Sequence, residues 1–139
     1  MRYLIAILAL AGVAVSALSL HVHYCNDPQP CTINDKWDCG IVNHSPFAEI
    51  ATIPVAAIGI AGYLALGALA FFRKRFLLFL AAGAAFCFAL RLTFIEEFAL
   101  QVWCLHCVIS QFLIALILLL SLGWFAAEYL ALKRASRSA

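Results

Sequence analysis

Four apolar runs dominate the chain. Tyr3–Leu20 holds 18 residues without a charge and Pro54–Phe72 holds 19. Phe76–Ile95 holds 20 with Arg91 near its end, and Phe98–Ala127 holds 30 without a charge. The hydrocarbon core of a bilayer, about 30 Å thick, is crossed by about 20 apolar residues in helix. The runs therefore predict four spanning helices, over about 3–20, 54–72, 76–95 and 101–127, in one membrane domain covering 1–139. They must be helices, because an open strand edge in lipid leaves backbone groups unpaired. Gly59, Gly62 and Gly67 in the second run, and Gly83, Ala84 and Ala85 in the third, allow close packing. The fold class expected is an all-α four-helix bundle.

The one sizeable polar stretch is an outer loop over about 21–53, between the first and second runs. It is too short for a core of its own and should lie across the bundle mouth, with Ile41, Val42, Phe47, Ile50 and Ile53 as its apolar side. Basic residues set orientation. Arg2, Arg73, Lys74, Arg75, Lys133, Arg134 and Arg137 fall on one side, which is then the cytoplasm. Lys36 and Arg91 fall on the other, with Asp27, Asp35, Asp38, Glu49, Glu96 and Glu97. Both termini are then cytoplasmic. A cleaved signal peptide is the rival reading of the first run. It would leave three spans, with the basic loop and the basic tail on opposite sides.

Composition agrees with the runs. The chain is 66% hydrophobic and 12% charged, with a mean hydropathy of +1.02. A soluble domain is about 45–50% apolar and about 25% charged. Disorder needs the opposite balance. The net charge of +2 is too mild to argue for nucleic acid.

Six cysteines in 139 residues are the second anomaly. The orientation puts Cys25, Cys31 and Cys39 outside the cytoplasm, with Cys104 and Cys107 near the same face, where disulfides are permitted. Cys104-Leu105-His106-Cys107 is a C-x-x-C whose ends share a helix face. Two such pairs can exchange through thiolate attack alone. A bridge between residues three apart closes almost no loop, which argues against a purely structural role for Cys104 and Cys107. A loop bridge from Cys31 to Cys39 is equally a staple, and Cys25 is a rival partner for Cys31. Cys87, inside the third run, reads as an inert buried thiol. A metal reading draws on His21, His23, Cys25, Cys104, His106 and Cys107. His21 and His23 are equally explained as interfacial residues. At about 100° per residue, His106 points away from the midpoint of its flanking cysteines. No metal is expected.

These residues together resemble a known family. Cys31-x7-Cys39 followed by Gly40-Ile41-Val42-Asn43-His44-Ser45-Pro46-Phe47 is similar to the loop of the vitamin K epoxide reductase family. Val42 and Ser45 stand where that family has a hydrophobic position and a serine. Ile53-Pro54-x4-Gly59-x2-Gly62-Tyr63 resembles the start of the second membrane helix in bacterial members, and Leu20-His21-Val22 the end of the first. Cys104-Leu105-His106-Cys107 opens the last helix, as the family's active-site pair does. DsbB-type oxidases carry their C-x-x-C in the first outer loop instead.

The resemblance implies roles. Cys31 and Cys39 form a shuttle pair that takes electrons from a reduced thioredoxin-fold protein. Cys39 then attacks the Cys104–Cys107 disulfide at Cys104, and Cys107 faces a quinone, ubiquinone or menaquinone. Ser45 and Phe47 in the loop, with Tyr63 and Gln111 on the helices, are the expected support and quinone contacts. The setting implied is a bacterial inner membrane with the active site on the periplasmic side. The chain ends at Ala139, so the expected partner is a separate protein. Two departures stand out. The animal enzymes have a tyrosine where this chain has Gln111, and an asparagine in the region of Pro54-Val55-Ala56. Both remove polar contacts expected for epoxide reduction, so quinone-linked disulfide formation is favoured over a vitamin K quinone or epoxide reductase. A metal-handling membrane protein and a stapled structural bundle are the alternatives from other classes.

Overall fold

Leu20 does not end the first helix. In the computed structural model, which describes residues 1–25, 31 and 33–139, helix α1 runs Arg2–Tyr24. The last turn is held by the loop rather than by lipid. Val22 is buried, and His23 hydrogen-bonds the Asn43 carbonyl through Nδ1 and faces Glu49 through Nε2. Asp27, counted above among the outer acids, lies outside the described residues.

The loop then builds a short helix α2 (Cys39–Asn43), a single 3-10 turn (Pro46–Ala48) and a two-stranded antiparallel hairpin, β1 (Glu49–Ile50) and β2 (Ile53–Pro54). The hairpin turn is Ala51-Thr52, with φ of 50° and 70°. Positive φ at both central residues is the geometry that favours Asn-Gly, because a Cβ crowds the backbone there. Of the loop's expected apolar side, Val42 turns into the protein, while Ile41, Phe47, Ile50 and Ile53 keep much of their surface exposed around the mouth.

Three long helices follow: α3 (Val55–Phe71), α4 (Arg75–Ile95) and α5 (Leu105–Ser138). Among the described residues, α1, α4 with its extension to Leu100, and α5 are long and apolar enough to cross a membrane; α3 is equally apolar but has 17 residues. The chain is an all-α membrane protein apart from the four-residue hairpin. Helix α1 packs on α3 and α5, and α4 on α5 and α3, which closes a ring. Ile5, Ala9, Tyr63, Leu66, Ala70, Leu78, Ala82, Ile114 and Ile117 fill its centre. Leu4, Ile7, Leu10, Leu64, Phe94 and Leu119 project outward, as lipid-facing side chains do.

Small residues set the closest approaches. A Cβ on Gly59 would stand 2.9 Å from the Ser16 hydroxyl, and one on Gly67 3.5 Å from Ala9. The tightest site is Gly12, where a Cβ would run into the Tyr63 ring. Gly62 has open space beside it. At the basic end of the bundle, Arg75 pairs with Glu128 and lies over the Trp124 ring at 4.9 Å, tying α4 to α5.

The expected helix over 101–127 begins four residues late and runs to Ser138. Helix α4 ends in one π turn (Glu96–Leu100), and Gln101 takes a left-handed conformation. The next residues are extended because the loop claims their backbone. Trp103 N–H donates to the Lys36 carbonyl at 2.7 Å, and Asp38 N–H donates to the Trp103 carbonyl at 3.0 Å. That bridge is what docks the loop onto the bundle.

Candidate active site

Cys39 opens α2. The Asp38 side chain accepts from Ile41 N–H at 3.1 Å, the usual way an Asp caps a helix start. Cys39 is joined to Cys31 in a disulfide, with Cα atoms 5.7 Å apart and both residues buried. This loop pairing leaves Cys25 free, with its sulfur 3.7 Å from His21 Nδ1.

The bridge at Trp103 sets Cys104 beneath that disulfide. Cys104 is fully buried, and its sulfur lies 3.2 Å from Cys39 Sγ. It is the N-cap of α5, in extended conformation, rather than a helical residue. The C-x-x-C therefore straddles the helix start instead of lying along one face. Cys104 and Cys107 are both free thiols, Cys107 half-buried.

Asn43 clamps the junction. Its amide donates to the Cys39 carbonyl at 2.9 Å and approaches Cys104 Sγ at 3.8 Å, while its side-chain oxygen accepts from Ser19 at 3.0 Å. Ser45 donates to the Val42 carbonyl at 2.8 Å, closing the end of α2.

Below the sulfurs is a cavity of about 320 Å³ between the helices. Its walls are apolar, from Val15, Val55, Leu66, Phe88, Leu92 and Ile114 among others. Polar groups gather at the sulfur end: Asn43, Glu96, His106, Ser110 and Tyr63, beside Cys107. Tyr63 hydroxyl donates to the Ser110 carbonyl at 2.9 Å and lies 2.8 Å from its hydroxyl. His106 Nδ1 is buried with no hydrogen-bond partner among the described residues. An apolar slot with a few polar groups at one end suits a flat ring carrying carbonyls and an apolar tail.

Of the expected contacts, Ser45, Phe47 and Tyr63 line this cavity, whereas Gln111 is not among its lining residues. Two readings need correction. Cys87 is exposed on the outer face of α4 rather than buried. His106 does not point away from the cysteines. One of its ring nitrogens lies within 4.8 Å of the Cys31, Cys39 and Cys104 sulfurs. The helical projection failed because Cys104 is outside the helix. Those four side chains form the one donor cluster of its kind among the described residues, but a metal needs thiolates and two of the sulfurs are bonded to each other.

Sequence reasoning missed Asn43 and Glu96. Glu96 was counted only as an outer charge, yet it is 2% exposed. Its carboxylate accepts from Cys104 N–H at 3.1 Å, and it lines the cavity beside Cys107. The available signal was an acid pair directly ending an apolar run, eight residues before the first cysteine of the C-x-x-C.

An apolar helical bundle with two cysteine pairs meeting sulfur to sulfur at its mouth is the construction of a membrane thiol oxidoreductase. The family model described as the vitamin K epoxide reductase family matches residues 3–135, and the chain belongs to that family. No curated protein matches the chain.

Proposed function

We propose that the protein is a four-span thiol–quinone oxidoreductase that draws electrons from a separate thioredoxin-fold protein outside the cytoplasm and delivers them to ubiquinone or menaquinone. The observation that carries this reading is the 3.2 Å approach of Cys39 and Cys104 directly beside the cavity that Cys107 lines. A water-soluble dithiol reaches the loop pair from above, and a lipid-soluble acceptor reaches Cys107 through the bundle.

The steps balance as thiol–disulfide exchange. The partner's dithiol reduces the Cys31–Cys39 bond and becomes a disulfide. The Cys39 thiolate then attacks Cys104 of an inner Cys104–Cys107 disulfide and releases Cys107. Cys31 resolves the mixed disulfide, leaving the loop pair oxidised and the inner pair as thiols. Two electrons and two protons then pass from the inner pair to the quinone, and the inner disulfide re-forms. Within the site, Asn43 holds Cys39 against Cys104, and Tyr63, Ser110 and His106 offer hydrogen bonds to ring oxygens.

Helix α3 completes the fourth span. Its 17 residues rise about 26 Å, and the apolar Ile53 and Phe72 at its ends extend that reach. The basic residues then place both termini in the cytoplasm and the cysteine pairs on the opposite face of a bacterial inner membrane.

Purified protein mixed with a reduced DsbA-like protein and either quinone forms quinol. Absence of turnover with both quinones, or full turnover in Cys104→Ala, overturns the reading.

A further inference from the structure

Glu96 has no part in the exchange steps above, yet it is the most buried charged residue described, accepts from Cys104 N–H and lines the cavity beside Cys107. Burying a carboxylate is expensive unless it is hydrogen-bonded or neutral. A side chain kept there needs a use that solvent cannot supply. Resting on the quinone reading, we propose that Glu96 is the proton acceptor for the Cys107 thiol, taking its proton as electrons leave the inner pair and returning it toward the acceptor's oxygen.

The geometry supplies each requirement. Glu96 and Cys107 line the same cavity wall, and the two side chains interact there. The other contact, from Cys104 N–H at 3.1 Å, uses a backbone donor at the start of α5 that no earlier carbonyl of that helix can satisfy. One oxygen is thus pinned by the fold, in the cavity wall that Cys107 shares. Glu96 also lines the cavity, so the proton it takes is already beside the acceptor. The π turn Glu96–Leu100 is what aims it: the widened turn ends α4 with Glu96 buried while Glu97 and Phe98 next to it are exposed. The titratable groups around Glu96 are Cys104, Cys107 and His106 at the start of α5 and Tyr63 across the cavity on α3. The acidic neighbour Glu97 faces outward, and α1 offers the cavity only Ser16 and Ser19 as polar groups.

The step is balanced. The S–H bonds of Cys104 and Cys107 break and one S–S bond forms between them. The pair loses two electrons and two protons, the quinone gains both as quinol, and Glu96 ends as the carboxylate it began as. Its role is general base to the thiol and general acid to the oxygen, work that contributes about 100-fold or more to a rate.

The test uses Glu96→Gln, which keeps an oxygen to accept from Cys104 N–H but cannot hold the proton, and Glu96→Asp, which keeps a carboxyl. Two readouts separate this proposal from the quinone reading. The first needs no quinone: the pH dependence of Cys107 alkylation by iodoacetamide, read by mass spectrometry on the full chain in detergent. A thiol sharing a proton with a carboxyl titrates with it as a pair, in two waves. In a Cys104→Ser background, which removes the neighbouring thiol as a second coupled group, the protein unsubstituted at Glu96 and Glu96→Asp give two waves and Glu96→Gln gives one. Two waves in Glu96→Gln, or one in the protein unsubstituted at Glu96 or in Glu96→Asp, overturns the proposal. The second readout is single-turnover quinol formation from pre-reduced protein. It falls about 100-fold or more in Glu96→Gln, while exchange of the partner with Cys31–Cys39 is unchanged. An unchanged rate of quinol formation in Glu96→Gln overturns the base role. Absence of quinol from the unsubstituted protein overturns the quinone reading alone, and the alkylation waves still decide Glu96.

Discussion

At the scale of single residues, the site works by contact distances that leave little slack. Cys39 and Cys104 sulfurs stand 3.2 Å apart, so the proposed exchange between the pairs needs no movement of helices. In Cys31→Ala the thiol that resolves the exchange is gone, and a Cys39–Cys104 mixed disulfide should accumulate. Non-reducing peptide mass spectrometry detects that link and gives its fraction. Asn43 is the second pressure point, because it satisfies Ser19, the Cys39 carbonyl and Cys104 Sγ from one buried side chain. Asn43→Ala strands those groups, and losing a partner for a buried polar group costs about 1–3 kcal/mol. The expected outcome is a lower unfolding temperature together with slower transfer between the pairs, measured by stopped-flow after reducing Cys31–Cys39. Gly12 is conspicuous for what it lacks. Its substitution by Ala drives a methyl into the Tyr63 ring, and overpacking of this kind costs about 1–3 kcal/mol. Because Tyr63 also holds Ser110, Gly12→Ala should weaken quinone turnover as well as lower the melting temperature.

At the scale of elements, the loop shows how much a short segment can be forced to do. Two backbone hydrogen bonds between Lys36, Asp38 and Trp103 hold residues 102–104 extended and delay α5 to Leu105. Nothing local demands that. Gln101-Val102-Trp103 sits at the head of an uncharged run and is compatible with helix, which is why a helix over 101–127 is the natural reading. The competing hydrogen bonds come from residues more than sixty positions earlier. The hairpin turn is the converse case, a local conflict tolerated for placement. Ala51 and Thr52 both adopt positive φ, which costs an L-residue roughly 1–2 kcal/mol relative to glycine. Thr52→Gly should therefore stabilise the protein by about 1 kcal/mol, less the added freedom of the unfolded chain, with cysteine exchange unchanged. Thermal unfolding in detergent, followed by circular dichroism, measures it.

At the scale of the whole molecule, burial runs opposite to that of a soluble protein. Leu4, Ile7, Leu10, Phe94 and Leu119 are exposed, while the interior holds a cavity with polar groups at one end. The outer surface is matched to lipid and the inner one to a reactant. The basic residues at the end where Arg75 meets Glu128 set the proposed orientation. A C-terminal green fluorescent protein fusion should fluoresce in a bacterial host, and a C-terminal alkaline phosphatase fusion should be inactive. The reverse result would invert the topology and move the cysteine pairs into a reducing compartment.

The sequence by itself determined the material of this protein: four apolar helical runs, a polar loop, and two cysteine pairs whose order along the chain matches one family. Those properties are additive along the chain. Hydropathy needs no partner to be read, and the C-x-x-C of Cys104 and Cys107 declares itself by spacing, whereas only the family resemblance sets Cys31 and Cys39 apart from Cys25. Ser45 came from the resemblance alone, and the structure shows it bonded to the Val42 carbonyl three residues away. The tertiary structure alone decided what depends on two distant segments meeting. It set Cys104 outside the helix, and so turned His106 toward the sulfurs instead of away from them. It exposed Cys87 on the outer face of α4, because which side of an all-apolar helix faces the bundle is not written in an all-apolar pattern. It also took Glu96, a charge at the end of an apolar run, and buried it against Cys104 and Cys107. A hydrogen bond eight residues long in sequence and across a break between two helices exists only after the chain has folded.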